Sequence, residues 1–420
     1  MRAGKRTIRS AAVVMAALLL AASQGCSGGS TSSAGDTAKA TTNTAKTVKI
    51  ALVTNLSGPY ALQGELMKQG AELAIEDINA AGGIKSLNGA RMELEIADAG
   101  DSVEAAVAAT QRTLAKGGFS AAMGVWSSSY TLPASAVAEQ KKVPWFTLSF
   151  ADKITERGYK YVFREDAPAG TQVAVAIPLL LDAAKKNGLD IKNAILVGDN
   201  TASTVDFFKA LNKVLPENNI KIADTKVWTP PLNNPTSLAL EVKNSGADVI
   251  FAAPSQFDDI VGLMRAFKET GVKAPVLANG AQFLLPAVVK ALGEENVEGL
   301  AAITGTAVFK GGEEISQRFE AKYNTYMTQE ACSTYSELWI IKEALEKAKS
   351  ADPTALRDAI SDLDLSDGPG TVFVPGHKVD FDETGQNVHA QVAISQWQKG
   401  KPITVAPGNA ALGTLSVSAD

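Results

Sequence analysis

Apolar residues recur along this chain at two spacings that alternate with each other. Short apolar runs such as 48–54, 119–125 and 193–198 are typical of buried strands. Between them, apolar residues return every three or four positions, most regularly over 62–81, which predicts amphipathic helices. Strands that alternate with helices of roughly 10–20 residues indicate βαβ units. We therefore expect an α/β protein with mainly parallel sheets and right-handed crossovers.

The pattern starts again at residue 193, which predicts a second α/β lobe. The strands that we predict lie at 48–54, 92–98, 119–125, 143–148, 193–198, 220–228, 247–253, 275–278 and 299–309, with short tail strands at 371–374, 378–382 and 391–397. The helices that we predict lie at 62–81, 131–142, 203–215, 312–328, 334–349 and 353–363, and two further helices end at about Lys116 and Thr270.

Polar residues follow the ends of several predicted strands. Ser57, Ser128 and Ser149 do so in the first lobe, and a similar set in the second lobe comprises Ser203, Ser255, Gln256 and Asn279. Ligands of parallel sheets bind at the carboxyl ends of the strands, so these two sets predict a binding site. The triplet Ser127–Ser129 precedes a helix whose N–H groups would suit a carboxylate. Alternatively, one serine caps the helix and the others are solvated.

The first 47 residues have a different character. Residues 1–25 carry Arg2, Lys5, Arg6 and Arg9 ahead of an apolar run at 11–22, which is too short to span a bilayer and predicts a signal peptide. Small residues before Cys26 resemble a bacterial lipobox, so we expect lipidation of Cys26; the alternative is ordinary cleavage nearby. Residues 26–47 are rich in Ser, Thr, Gly and Ala and predict a disordered tether.

Composition argues against several function classes. The chain has 420 residues and a formal charge of −5, which becomes −9 when the four cations of residues 1–25 are removed, so nucleic acid is not expected as a partner. With only two cysteines there is no disulfide framework, and Cys332 is expected to be a packing residue.

The sequence also lacks the usual signs of catalysis. The two histidines, His377 and His389, have no cysteines near them, and no nucleophile elbow, dinucleotide fingerprint or P-loop occurs. The acidic pairs Glu313-Glu314 and Asp258-Asp259 are expected to be solvated helix faces. We therefore expect neither an enzyme nor a bound cofactor or metal.

Four segments together resemble the extracytoplasmic solute-binding proteins of branched-chain amino acid ABC transporters, the Leu/Ile/Val-binding type. They are SGPYALQGELMKQGAELAIEDINAAGGI (57–84), GVWSSSYTLPAS (124–135), ITERGYKYVFR (154–164) and VDFDETGQNVHAQVAISQWQKGKPITVAP (379–407). The resemblance covers about 48–407. It implies a type I periplasmic binding protein clamshell, in which two Rossmann-like lobes are joined by a three-strand hinge. The lobes would be 48–166 plus 296–375 and 167–295 plus 376–415.

The resemblance also implies a set of ligand-binding residues. The head-group serine of the family falls on Ser128, with Ser129 beside it and Ser149 and Phe150 after the next strand. In the second lobe an aromatic position falls on Ser203 and a tyrosine position near Gln256. The acidic residue that holds an α-ammonium falls near Asn279 or Gly280, neither of which is acidic.

These departures leave the ligand open. Trp126 and Phe150 would suit a flat apolar carboxylate, whereas Gln63, Gln256 and Asn279 would suit an amide. Asp258 or Asp259 could replace the missing acid, but both lie in a helical stretch and are expected to face solvent.

We thus expect a lipid-anchored, extracytoplasmic and monomeric receptor. It would bind a branched-chain amino acid or a related small carboxylate, with an aromatic carboxylate or small amide as the alternative ligand. It would close by hinge motion and deliver its solute to ABC permease subunits. The alternative function is a ligand sensor of the same fold that signals through a membrane partner.

Overall fold

The computed structural model describes residues 47–417 and contains two large β-sheets flanked by helices. The predicted signal peptide and Cys26 lie outside these residues. The first sheet has the strand order β2-β1-β3-β4-β5, and all its strand pairs are parallel. Its strands are β1 (Val48–Thr54), β2 (Met92–Asp98), β3 (Phe119–Gly124), β4 (Trp145–Phe146) and β5 (Val162–Phe163).

The second sheet has seven strands in the order β14-β13-β10-β9-β8-β6-β7. Five are parallel, and β13 and β14 complete one side as an antiparallel hairpin. Its strands are β6 (Asn193–Asp199), β7 (Lys221–Trp228), β8 (Val249–Ala253), β9 (Val276–Asn279), β10 (Ala301–Thr304), β13 (Ala393–Gln398) and β14 (Lys401–Ala406). A small antiparallel pair joins β11 (Asp364–Leu365) to β12 (Val379–Asp380).

Helices cover both sheets. In chain order they are α1 (Ala61–Ala80), α2 (Val103–Ala115), α3 (Ser128–Lys141), α4 (Ala169–Lys186), α5 (Ala202–Glu217), α6 (Pro235–Asn244), α7 (Phe257–Thr270), α8 (Pro286–Leu292), α9 (Glu294–Val297), α10 (Glu313–Tyr323), α11 (Gln329–Ala348) and α12 (Pro353–Ser361). Short 3₁₀ turns lie at Gly58–Tyr60, Lys85–Leu87, Asp152–Ile154 and Ala281–Leu284.

Helix α11 belongs to the first lobe although it follows five strands of the second sheet, β6 to β10, in sequence. It crosses α1 so closely that a Cβ on Gly70 would lie 2.3 Å from the carbonyl oxygen of Ala331. The hydroxyl of Tyr335 also donates to Asp77 of α1 at 2.8 Å. Cys332 is fully buried in α11, in agreement with its predicted packing role. This helix therefore holds one wall of the first lobe and, through its first turn, reaches the space between the lobes.

Three chain segments connect the lobes. The first crossover follows β5 at residues 164–167, the second follows β10 at 305–307, and the third leads through 386–392 into β13. The first and third are hydrogen-bonded to each other, since the amide of Asn387 donates to the Arg164 carbonyl at 3.0 Å. The predicted two-lobed α/β fold with a three-strand hinge is therefore confirmed.

Several predicted elements differ from the structure. The segment 371–374 is not a strand, because it folds as consecutive turns that place Phe373 against the ring of Tyr335 at 5.6 Å. Helices α4, α6, α8 and α9 and strand β14 had not been predicted. Strand β10 covers only Ala301–Thr304 and pairs in the second sheet. We accordingly propose that the lobe boundary predicted at residue 296 lies after Thr304.

Candidate functional site

A cavity lies between the carboxyl ends of the strands of the two sheets. The loops after β3 and β4 form its first-lobe wall, those after β6, β8 and β9 form its second-lobe wall, and the first turn of α11 adds one residue. The lining residues are Trp126, Ser127, Ser128, Leu148, Ser149, Phe150, Thr201, Ser203, Thr204, Ser255, Asn279, Gly280, Ala281, Gln282 and Gln329. The two polar strand ends inferred from the sequence therefore face each other.

Seven of the predicted site residues line this cavity: Trp126, Ser128, Ser149, Phe150, Ser203, Ser255 and Asn279. Ser129 lies beside it, and its hydroxyl accepts a hydrogen bond from the Ala202 amide of the opposite lobe at 3.1 Å. Gln63 and Gln256 are not among the lining residues. Gln63 is instead buried within α1, and Gln256 precedes the first turn of α7.

The hydroxyls of Ser149 and Ser128 in the first-lobe wall have different roles. Ser149 Oγ lies within 3.0 Å of the carbonyl oxygens of Val125 and Trp126 and 2.7 Å from Thr131 Oγ1, so it stabilises the loop after β3. Ser128 Oγ accepts from the Ala151 amide at 3.2 Å, which leaves its own proton available to a ligand.

Helix α3 begins earlier than the sequence predicted, at Ser128 instead of 131. Ser127 is therefore the residue that precedes the first turn, and its carbonyl accepts from the amides of Tyr130 and Thr131 at 2.9 Å. No side-chain hydrogen bond caps this helix within the residues that the structure describes. The serine triplet thus lies in and before the first turn, at the positive end of the helix dipole, and Ser127 and Ser128 line the cavity.

The second-lobe wall is organised around a buried carboxylate. Asp199, at the end of β6, accepts from the Thr201 amide and hydroxyl at 3.0 and 2.6 Å and from the Ser255 amide at 2.7 Å. The hydroxyl of Thr204 donates to the Ala253 carbonyl at 2.8 Å. Both Asp199 oxygens are thus used to shape the wall, and Asp199 is not itself a lining residue.

The lobes touch each other across the cleft. The hydroxyls of Tyr60 and Ser255 lie 3.2 Å apart, and the Asp152 amide donates to Asp206 Oδ2 at 2.9 Å. Burial raises the pKa of Tyr60, so its hydroxyl stays protonated at neutral pH. The structure therefore shows the two rims in contact.

None of the lining residues carries an ionisable side chain. Asp258 is exposed as predicted, but the prediction for Asp259 is wrong. Asp259 is buried, because its carboxylate accepts from the Trp228 indole at 2.9 Å and the Leu232 amide at 2.8 Å. It supports the loop after β7 and does not replace the missing acid. The cavity thus offers hydroxyls, amides and two aromatic side chains, without a charge on its surface.

Some lining residues had not been singled out from the sequence. Gln282 lies in the 3₁₀ turn after β9 and donates to the carbonyls of Pro254 and Asn279 at 3.0 and 2.8 Å. Gln329 opens α11, and its side chain accepts from the Gly305 amide at 3.0 Å. The turn signal at Asn279-Gly280 indicates a loop at the position of Gln282. No local sequence pattern predicts Gln329 as a lining residue, because α11 reaches the cavity only through tertiary packing.

Groups of histidine, cysteine, aspartate or glutamate that could hold a metal ion do not occur in residues 47–417. The two histidines have other neighbours. The ring of His377 packs on the ring of Phe309 with centroids 5.9 Å apart, and Nε2 of His389 lies 3.9 Å from Oδ2 of Asp380.

Comparisons with known proteins agree with this geometry. The chain is 30% identical over 386 residues to Leu/Ile/Val-binding protein homolog 8 of Brucella melitensis, which covers 88% of this chain and 92% of the relative. A branched-chain amino acid transporter substrate-binding protein from Streptococcus pneumoniae, solved with isoleucine, superimposes with a TM-score of 0.72 at 20% identity, covering 85% of this chain and 98% of that protein.

A solute-binding protein from R. palustris, solved with benzoate, has the same fold. Its TM-score is 0.72 at 17% identity, and the match covers 89% of this chain and 98% of that protein.

The family model described as periplasmic binding protein matches residues 47–402. The match spans both lobes and all three crossovers, and with the relatives it shows that this chain belongs to the periplasmic binding protein family, in the company of the Leu/Ile/Val-binding type.

Proposed function

We propose that this protein is the solute receptor of an ABC importer, which binds one small molecule between its lobes and delivers it to a permease. Members of this family are solute-binding receptors rather than enzymes, and the family name places them outside the cytoplasm. The observation that carries the proposal is the cavity between the two strand-end rims, whose surface bears hydrogen-bonding groups from both lobes. Such a site engages a ligand fully only when the lobes are together.

Hinge closure is part of the proposal. The contacts of Tyr60 with Ser255 and of Ser129 with Ala202 join residues of different lobes, whereas only three short crossovers connect the lobes covalently. Rotation about those crossovers would break the contacts without unfolding either sheet. Family members with this architecture are known to close by hinge motion.

The charge of the cavity favours one class of ligand. An α-ammonium group buried without a carboxylate partner costs several kcal/mol, and no acidic residue lines this cavity. Related proteins have been solved with isoleucine and with benzoate. Branched-chain amino acids are the ligands in the names of the Leu/Ile/Val-binding relatives, but the uncharged wall favours a carboxylate or amide without a positive charge.

Trp126 and Phe150 support the aromatic alternative. Both side chains line the cavity beside Ser128, whose hydroxyl proton is free to reach a head group. Asn279 and Gln282 on the opposite wall supply amides. We infer that a flat acid would place its carboxylate at the start of α3 and its ring between the lobes.

Attachment to the membrane rests on the sequence. Among the helices of residues 47–417, none combines the length and apolar character that crossing a bilayer requires. We propose that lipidated Cys26 anchors the receptor, through the tether predicted at 26–47, and that it works as a monomer. Mass spectrometry of protein extracted from membranes tests the first point, since an unmodified Cys26 would exclude the anchor.

A thermal-unfolding panel tests the function. Leucine, isoleucine, valine, benzoate and small amides are added separately at a large excess. A ligand present at 100 times its dissociation constant stabilises the fold by about 2.7 kcal/mol. Stabilisation by benzoate or an amide alone supports the proposal of a ligand without a positive charge, and stabilisation by the amino acids alone contradicts it. If binding were accompanied by turnover, the receptor assignment would be wrong.

A matched pair of variants locates the site. Ser203 lines the cavity and its hydroxyl makes no hydrogen bond among residues 47–417, whereas Ser366 is exposed directly after β11 and does not line the cavity. Replacing Ser203 with tryptophan should abolish the ligand-induced shift by filling the cavity, and Ser366→Trp should leave it unchanged. An unchanged shift in Ser203→Trp would move the site elsewhere.

A further inference from the structure

Three carboxyl groups lie together, out of contact with water, where the first crossover meets α11. Glu165 and Asp166 belong to the crossover and Glu337 to α11, and their exposed fractions are 0%, 1% and 0%. None of the four carboxylate oxygens of Glu165 and Glu337 accepts a hydrogen bond from a donor in residues 47–417. Ionised carboxylates in such surroundings are strongly disfavoured, because each loses its hydration without compensation.

The neighbouring cation does not pair with them. Arg164 is fully buried, but its guanidinium donates to Gln386 Oε1 at 2.7 Å, to the carbonyl oxygens of Ser149 and Ala151 at 3.1 and 2.7 Å, and to Thr155 Oγ1 at 2.9 Å. Its charge therefore acts on the acids only from a distance. Three ionised carboxylates and one guanidinium would leave two uncompensated negative charges in the interior.

The second crossover closes the site from another side. A Cβ on Gly305 would lie 2.1 Å from Asp166 Cγ, so the backbone there packs directly on the carboxyl group. The second crossover contributes no titratable side chain, and Gln386 and Asn387 of the third crossover are uncharged. They bind the Asp166 and Glu165 carbonyls at 2.8 and 3.2 Å.

Helix α11 contributes the remaining facing groups. Ser333 Oγ lies 3.5 Å from Asp166 Oδ2, and Cys332 and Glu330 lie on the same turn. Burial raises the pKa of the Cys332 thiol, and Glu330 and Asp166 raise it further. Apart from Arg164, which compensates at most one charge, no cation that the structure describes on these elements acts on the three acids, so protonation is the remaining way to neutralise the other two.

We propose that Glu165, Asp166 and Glu337 form a proton-binding site that joins the first crossover to α11. Ser333, one turn before Glu337 on α11, lies 3.5 Å from Asp166 Oδ2, so α11 presents Glu337 to the crossover acids, and a proton held by Glu165 or Glu337 would form a hydrogen bond between them. This bond links the hinge to the helix that supplies Gln329 to the ligand cavity. The same packing would be lost if both carboxyl groups ionised, since like charges would then meet in a medium of low polarity.

The protonation equilibria agree with this arrangement. Burial raises the pKa of Glu165 well above its usual range, and the charges of Glu337 and Asp166 add to the effect. Burial, and to a smaller extent the charge of Asp166, also raises the pKa of Glu337. Burial also raises the pKa of Asp166, to about 7, against the opposing effect of Arg164. The pKa of Arg164 itself falls only to about 10, so it stays charged at neutral pH.

The sign of the resulting pH dependence follows from these raised values. In the unfolded chain a glutamate releases its proton near pH 4.3. The folded protein keeps it until the higher folded pKa, so stability is fully present below the unfolded value and falls as pH rises. Each retained proton makes the unfolding constant increase about tenfold per pH unit over that interval. The contribution of Asp166 levels off above about pH 7.

Urea unfolding between pH 5 and 9 tests the site without any ligand. The unfolding constant of the wild-type protein should rise more steeply with pH than that of Glu337→Gln, and more steeply still than that of the double variant E165Q/E337Q. Glutamine keeps the shape of a protonated glutamate but cannot ionise. Glu217, exposed on α5, provides the matched control E217Q, which should keep the wild-type slope.

A second measurement does not depend on the variants being stable. Potentiometric titration of wild-type protein, folded and in urea, should show at least one proton more on the folded protein at pH 7. Equal proton binding by the two states, or equal slopes for wild type and Glu337→Gln, would overturn the proposal.

Discussion

The indole Nε1 of Trp126 donates a hydrogen bond to Glu330 Oε1 at 3.1 Å. This contact joins the loop after β3, which lines the cavity, to the first turn of α11. The ring of Trp126 also lies against Tyr60, with centroids 5.2 Å apart, and Tyr60 in turn touches Ser255 of the other lobe. The side chain of Trp126 is thus fixed by the buried Glu330 and by Tyr60, which also makes the interlobe contact.

Glu330 accepts the indole hydrogen bond, and we expect that it does not need its charge to do so. Burial raises the pKa of Glu330. We expect Glu330→Gln, which keeps an acceptor, to change the free energy of unfolding by less than about 1 kcal/mol, whereas Glu330→Ala leaves the indole unpaired beside a cavity and costs about 2–4 kcal/mol. Chemical denaturation checks both. Equal losses in the two variants would mean that the ionised carboxylate is required.

Helix α1 requires a glycine where it meets the loop after β1. A Cβ on Gly64 would lie 1.6 Å from the Asn55 carbonyl oxygen, so Gly64→Ala should cost about 3 kcal/mol or more by overpacking. Gly262 lies in helix α7, with its nearest neighbour 3.6 Å away, and Gly262→Ala should stabilise by about 0.5–1 kcal/mol. Thermal unfolding distinguishes them, and similar effects in both variants would contradict the close packing.

Two serines of the cavity wall should behave differently when replaced by alanine. Ser149→Ala removes several buried hydrogen bonds and should lower stability by about 1–3 kcal/mol. Ser203→Ala should leave stability within about 0.5 kcal/mol of wild type and weaken binding of the solute found in the panel. Unfolding and titration calorimetry measure the two quantities. A stable Ser149→Ala protein would show that its hydroxyl is not a structural group.

The contact between Tyr60 and Ser255 should contribute to ligand affinity, because it forms only when the lobes meet. We expect Tyr60→Phe and Ser255→Ala each to weaken binding a few-fold, with a coupling energy of about 0.5–1.5 kcal/mol in the double variant. Tyr130→Phe is the control, since its hydroxyl donates to the Asp101 carbonyl within one lobe. Additive losses, or a similar loss of affinity in Tyr130→Phe, would argue against an interlobe contact of this kind.

Asp98 should produce a pH dependence of opposite sign to that of the buried cluster. Its pKa is lowered: burial acts to raise it, but hydrogen bonds from the Gly100 and Leu56 amides and the Ser57 hydroxyl outweigh this effect. Its stabilisation is therefore present above pH 3.9 and is lost as pH falls through the lower folded value. Since Asp98 is exposed, we expect less than about 1 kcal/mol. Unfolding of Asp98→Asn should lack this acid-side loss, and an unchanged profile would contradict it.

Much of the fold was predictable because its strands are apolar and regularly spaced. Val48–Thr54 and Met92–Asp98 have the bounds expected from the sequence, because the apolar run of the first and the alternating pattern of the second both stop at turn residues. The apolar run at 371–374 predicts a strand wrongly, because Phe373 is buried by tertiary contact with Tyr335 and not by strand pairing. Helices α6 and α8 begin at Pro235 and Pro286, where a proline at the first position marks a start that a spacing rule overlooks.

The site was predictable to the extent that it lies at strand ends. Trp126, Ser128 and Phe150 lie within four residues after β3 and β4, and Asn279 ends β9, so topology brings them together. The buried state of Asp259 could not be inferred, because its partners Trp228 and Leu232 belong to another loop. The acidic cluster was equally hidden, since Glu165 and Glu337 are 172 positions apart and meet only in the folded chain.

The pairing of β10 with β13 has a consequence for the order in which the chain is synthesised. The strands of the first sheet are all made by residue 163, whereas β10 pairs on one side with a hairpin whose last strand ends at Ala406. Until the ribosome has released that hairpin, one side of β10 remains an open edge with unpaired backbone groups. Such an edge invites pairing with other chains. Nascent protein stalled before residue 393 should therefore depend most on chaperones, and the second lobe should complete its folding last.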